Sequence, residues 1–189
     1  CLKPFPVRTI QEVLADHGVT DMKALFDGYV LTGGMPKYLD LLVANSALTF
    51  ERMMDFVLQV DSPLLNEGRN LLIEELGKDY GTYFSILELI SLGKTARMEM
   101  QAILEADIGG YLDRLENTFG IISKHKTIDA KPNSRLQKYR ITDNFLNFWF
   151  RFVYRNRSAI ETGNFAYVRE VIRRDYSVHC GLLLEKCFH

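Results

Sequence analysis

Residues 139–158, YRITDNFLNFWFRFVYRNRS, constrain this chain more than any other stretch. Phe145, Phe148, Trp149 and Phe152 recur at i, i+3, i+4 and i+7, one face of a helix, and Leu146, Phe150 and Val153 widen that face. Asn144, Asn147, Arg151 and Arg155 leave a narrow polar stripe. Thr142 or Asp143 is placed to cap the helix by accepting from its first free N–H groups. A helix this apolar needs partners around most of its circumference, and each buried aromatic stabilises the fold by roughly 1.5–3 kcal/mol. The segment is therefore expected at the centre of a core, with functional residues on either side of it.

A chain of 189 residues with 47% hydrophobic and 12% aromatic side chains suits one or two domains and is not generally disordered. No run of about 18 apolar residues exists, so no membrane span or membrane partner is expected. The start, CLKPFPVRTI, lacks the charged-then-apolar layout of a signal peptide. It also lacks an initiator Met, and GLLLEKCFH ends without a helix stop, so the chain reads as a segment of a longer protein. Cys1, Cys180 and Cys187 are too few for a disulfide framework; reduced thiols in the cytoplasm are expected. Charge is split along the chain. Residues 1–123 carry 10 Lys/Arg against 18 Asp/Glu, a balance of −8, and residues 124–189 carry 13 against 6, a balance of +7. Such a split points to a charged partner for one half, or to attraction between the halves.

In order, Pro4 and Pro6 suit an extended lead-in. Thr9 with Glu12 has capping-box spacing for a first helix ending at Gly18. Asp21 opens a second, through Leu25, Phe26, Tyr29 and Val30. It breaks at Thr32-Gly33-Gly34-Met35-Pro36, where glycine permits positive φ and Pro36 opens the next helix. Tyr38–Leu42 and Phe50–Leu58 supply two more, closed by Asp61-Ser62-Pro63. From Asn70 an interrupted helical pair turns at Gly77 and Gly81. Thr95 is expected to cap a helix with Met98 and Ile103 inward, and another helix spans about Gly109 to Thr118, stopped by Gly120. Ile121–Lys126 and Leu136–Ile141 read as two strands of a hairpin. Three helices followed by a hairpin is the layout of a winged helix-turn-helix. Beyond Gly163, helix is expected at Val168–Arg173 and again at Leu182–His189.

Gly93-Lys94-Thr95 carries residue types of a phosphate loop, but position 88 is Glu where that loop needs glycine, and a helix precedes it rather than a strand. A helix-turn-helix turn accounts for it better. The hairpin is the best nucleic-acid candidate. Lys124 and Lys126 are expected on the same exposed side as Lys138 and Arg140, with Lys131 and Arg135 in the connecting loop. These six cations face Asp129 alone, enough for salt-sensitive and largely sequence-blind phosphate binding. The helix that would enter a groove offers Arg114 but also Asp113 and Glu116, which repel phosphate. Protein–protein packing of a winged helix is the competing expectation. His179, Cys180, Cys187 and His189 match no zinc spacing, and apolar packing of the thiols fits them better. No catalytic Ser/His/Asp set or carboxylate pair can be argued.

Three stretches together resemble the archaeal-type AAA ATPases, a prokaryotic family. They are Tyr29–Leu39 (YVLTGGMPKYL), Tyr83–Gly93 (YFSILELISLG) and Tyr139–Val153 (YRITDNFLNFWFRFV), in an order and spacing that span nearly the whole chain. The resemblance implies a mainly α fold: residues 1–65 a helical ATPase lid, 68–141 a winged helix-turn-helix with a two-stranded wing, and 142–189 the aromatic linker helix and the start of a domain resembling PD-(D/E)XK nucleases. Gly33, Gly34, Pro36 and Lys37 would form the lid turn near the nucleotide, with Lys37 in reach of a phosphate. Glu185 would fall on the first nuclease-like helix, with the metal-binding acid and cutting strand further along. The phosphate loop, with ATP and Mg²⁺, would belong to an upstream core acting in cis. The segment itself is expected to hold no cofactor or metal and to lack catalysis alone. It would couple nucleotide state to double-stranded DNA or a partner protein, in an oligomer or alone. A winged-helix regulator and an interaction scaffold without DNA binding are the alternatives.

Overall fold

The computed structural model describes residues 3–77, 80–126 and 137–187. Helices dominate it: α1 (Val7–Asp16), α2 (Met22–Thr32), α3 (Pro36–Ala44), α4 (Phe50–Val57), α5 (Pro63–Leu76), α6 (Tyr80–Ser91), α7 (Arg97–Leu104), α8 (Gly109–Asp113), α9 (Asn144–Phe148), α10 (Arg157–Glu161) and α11 (Phe165–Cys187). β1 (Ile122–Lys126) and β2 (Gln137–Ile141) form an antiparallel pair. The chain is mainly α, as expected. Among the described residues no helix is long and apolar enough to cross a membrane.

The chain divides into two units, Cys1–Asn66 with Asn156–His189, and Glu67–Arg155. The aromatic helix belongs to the second unit, and the terminal helix returns to the first.

In the first unit, Asp21 caps α2 by accepting from the Ala24 N–H at 3.1 Å. Pro36 stands at the first turn of α3, where its missing N–H costs nothing. Thr9 is not a cap. α1 begins two residues earlier with Pro6 at the cap position, and Glu12 pairs with Arg8 at 3.0 Å instead. α11 is one helix of 23 residues, not two pieces. Its continuity follows from a buried stripe: Val168, Ile172, His179, Cys180 and Leu183 are all inside, with Tyr176 half-buried beside them. Tyr176 donates to the buried Asp27 carboxylate at 3.0 Å, and Lys23 pairs with the same carboxylate at 2.6 Å. Cys180 packs with Val30 and Leu183, the apolar role expected of it, and burial raises its thiol above the ordinary range. Arg173 meets Glu51 at 2.8 Å, while Arg169 pairs with Glu51 and Asp55.

In the second unit, the Asp143 side chain caps α9 by accepting from the Leu146 N–H at 2.9 Å. α9 runs on as π-helical turns over Trp149–Tyr154. Phe84 of α6 lies edge-on to Trp149, Phe150 and Tyr154, with ring centroids 5.2–6.1 Å away. The expected polar stripe is itself partly inside: Asn144 and Arg151 are buried, and Arg151 Nη1 donates to the Ser91 carbonyl at 2.8 Å. On α7 the inward residue is Met100; Met98 is 79% exposed and Ile103 49%, so both point the other way from expectation. The cap position of α7 is Ala96, not Thr95.

Candidate functional site

The hairpin's faces are set by its register. Ile122 stands opposite Ile141, Ser123 opposite Arg140, Lys124 opposite Tyr139 and His125 opposite Lys138. Side chains directly opposite share a face. Ile122, Tyr139 and Ile141 are buried, so Lys124 stands on the core-facing side with them. Ser123, His125, Lys138 and Arg140 make up the other face. The expected grouping of all four hairpin cations on one side is therefore corrected: Lys124 is split from Lys138 and Arg140. The alternation within each strand was right, but the register between strands places odd residues of one opposite even residues of the other. Lys131 and Arg135 lie outside the described residues, as does the Lys126 side chain.

On the core-facing side, Lys124 is occupied. Its ammonium lies 2.5 Å from Glu116 Oε2 and 5.8 Å from the centre of the Tyr139 ring. The Lys124 N–H also donates to Glu116 Oε1 at 3.3 Å. The adjacent Glu116 carboxylate holds this ammonium above the usual lysine range. Glu116 comes from the π-helical turns, Arg114–Thr118, that continue α8. Arg114 is exposed there, beside Asp113, whose carboxylate accepts from the Asn117 amide at 2.8 Å. Asp107 fixes the start of α8, accepting from the Gly109 N–H at 2.9 Å and from Arg97 at 3.0 Å. The Gly109 N–H, then Arg97, hold the Asp107 carboxyl below its ordinary range. The α8 surface thus carries both signs of charge.

On the outer face, Arg140 Nε donates to Ser123 Oγ at 3.2 Å. Lys138 is exposed, and neither it nor Arg140 forms an ion pair with a described carboxylate. Two residues along an antiparallel strand separate their Cα atoms by about 7 Å. None of the exposed large hydrophobic side chains belongs to the described part of the hairpin.

The glycine turn is in the first unit. Gly33 adopts φ 59° as the C-cap of α2, its N–H bonded to the Tyr29 carbonyl at 2.8 Å. Gly34 has φ 81° and donates to the buried Thr32 hydroxyl at 3.1 Å. Close backbone approach at Gly34 is real, but here it is used by the chain's own lead-in. The Phe5 N–H donates to the Gly34 carbonyl at 2.7 Å, and a Cβ on Gly34 would fall 2.5 Å from the Phe5 carbonyl oxygen. Lys37 is exposed one residue into α3 beyond Pro36. Gly34→Ala combines a left-handed backbone with this clash. It is expected to cost about 1–3 kcal/mol and to expose residues 3–6 to protease, read by thermal melting and timed proteolysis.

Gly93-Lys94-Thr95 forms the turn between α6 and α7. Gly93 takes φ 90°, Lys94 pairs with Glu99 at 2.8 Å, and the Thr95 carbonyl accepts from the Tyr139 N–H at 2.8 Å. Ala96 bridges to Lys138. No phosphate cradle is formed there. No group of three or more His, Cys, Asp or Glu able to hold a metal occurs among the described residues. Among the contacts that sequence reasoning missed are Glu116 with Lys124 and Asp27 with Tyr176. The first had a signal of sorts, an acid eight residues ahead of a strand lysine; the second, 149 residues apart, had none.

No family model matches the chain, and no solved structure matches it. An uncharacterized protein of Methanocaldococcus jannaschii is 32% identical over 166 residues, covering 86% of this chain and 36% of that protein. The chain thus spans about a third of the relative's length.

Proposed function

We propose that this chain is the lid and winged-helix portion of an AAA-type ATPase, coupling nucleotide state to DNA or a partner protein. One observation carries the reading. The Thr95–Ala96 segment between α6 and α7 pairs with β2, so residues 80–141 run helix, isolated bridge, helix, helix, strand, strand. That order is the one a winged helix-turn-helix requires. The left-handed Gly33-Gly34 turn, opening into a Pro-initiated helix, is what the lid turn of such an ATPase would look like. The nucleotide core, with its phosphate loop and Mg²⁺ site, would lie elsewhere in the polypeptide, as would the metal-binding acid of a nuclease-like domain. The relative's greater length is compatible with that. Glu185's side chain lies outside those described. A cytoplasmic location follows from this role.

Calorimetric titration of the chain with ATP and Mg²⁺ tests the placement of the core. Heats no larger than those of buffer are expected, whereas micromolar binding would overturn it.

A further inference from the structure

Charge and register distinguish the surfaces with which the second unit could meet a partner. This rests on the winged-helix reading above and deepens it. The α8 surface is a poor groove reader: Asp113 and Glu116 stand beside Arg114, and Glu116 already neutralises Lys124. The other side of the hairpin differs. Ser123, His125, Lys138 and Arg140 share it, and among the described residues its two permanent cations form no ion pair with a carboxylate and none of its side chains is a large exposed apolar one. A protein partner would need an aromatic or aliphatic anchor at the centre of the contact. This face has charge, a hydroxyl and an imidazole instead. Lys138 and Arg140 alternate along one strand at a spacing of about 7 Å, comparable with the separation of successive phosphates. Arg140 is held to Ser123 through Nε alone, which leaves its Nη groups as donors of the kind that pair with phosphate oxygens.

We propose that the outer face of the β1–β2 hairpin, through Lys138 and Arg140 with His125 and Ser123 beside them, binds the phosphate backbone of nucleic acid without reading its sequence. α8, which leads in most winged helices, is then a support that fixes the hairpin through Glu116.

The test is fluorescence anisotropy of the whole chain with two labelled DNA duplexes of unrelated sequence, across a salt series. The expected result is equal binding of both duplexes. Lys138→Ala with Arg140→Ala should weaken it roughly tenfold at low salt and reduce the slope of log K against log salt by about 2. Arg114→Ala should leave the slope unchanged, and the melting temperature of the double variant should match wild type. Four results would each overturn the proposal: no binding by wild type at low salt, a marked preference for one duplex, loss on Arg114→Ala alone, or equal competition by polyglutamate at matched charge. The last would assign the face to an acidic protein. None of these bears on the ATP titration, so the two readings fail separately.

Discussion

Phe84→Ala is expected to destabilise the second unit by about 3–5 kcal/mol. Phe84 is 1% exposed and is the ring on which Trp149, Phe150 and Tyr154 converge. Tyr80, on the same helix, also lies edge-on to it, at 5.6 Å. Truncation removes the transfer energy of a whole phenyl ring and leaves a cavity. The surrounding aromatics are too rigid to refill it, since each has few rotamers and is held by its own helix. Denaturant unfolding followed by Trp149 fluorescence measures the loss, and this single tryptophan reports on that core. A midpoint within experimental error of wild type would show that the aromatic helix is not the centre of this unit. Leu at the same position keeps most of the volume and should recover much of the loss.

Gly68→Ala should fail for the opposite reason. A Cβ there would sit 2.7 Å from Cε3 and 2.8 Å from Cε2 of the Trp149 indole, and nearer still to Cδ2. Alanine ordinarily stabilises a helix relative to glycine by about 1 kcal/mol. Here the indole has to move, and it is flanked by Phe84 and Phe150. Overpacking of this kind costs about 1–3 kcal/mol or more, so the net change should be a loss against the helix-propensity trend. Urea midpoints of the two proteins decide it, and a stabilised Ala variant would show that the indole has room. Combining Gly68→Ala with Phe84→Ala should cost less than the two added together, because the displaced indole can use the vacated space.

Local signals were legible in the sequence and long-range ones were not. Asp21, Gly33, Pro36 and Asp143 took the roles their chemistry implied, because capping and left-handed turns depend on a few adjacent residues. Both strands fell within a residue of expectation. The hairpin's face assignment failed because it depends on which residue of β1 meets which residue of β2. α11 is continuous where two pieces are expected, because the packing of Tyr176 and Cys180 against α2 carries the helix across residues 174–181. Met98 and Met100 are chemically identical, so only the neighbours of α7 choose between them. The π-helical turns after Phe148 had no local marker at all. For the candidate site, residue types pointed to the hairpin, but which lysine is already engaged was decided by Glu116.

The first unit is built from both ends of the chain, and this sets an order on how it is made. Residues 67–155 are contiguous and can close as soon as the ribosome has released them. Asp27 must wait for Tyr176, 149 positions later, and Glu51 waits 122 positions for Arg173. Throughout that interval α2 carries Val30 and Phe26 without the helix that later packs on them. Translation speed and chaperone capture before the last segment emerges therefore bear on the yield of native protein more heavily for this half than for its neighbour.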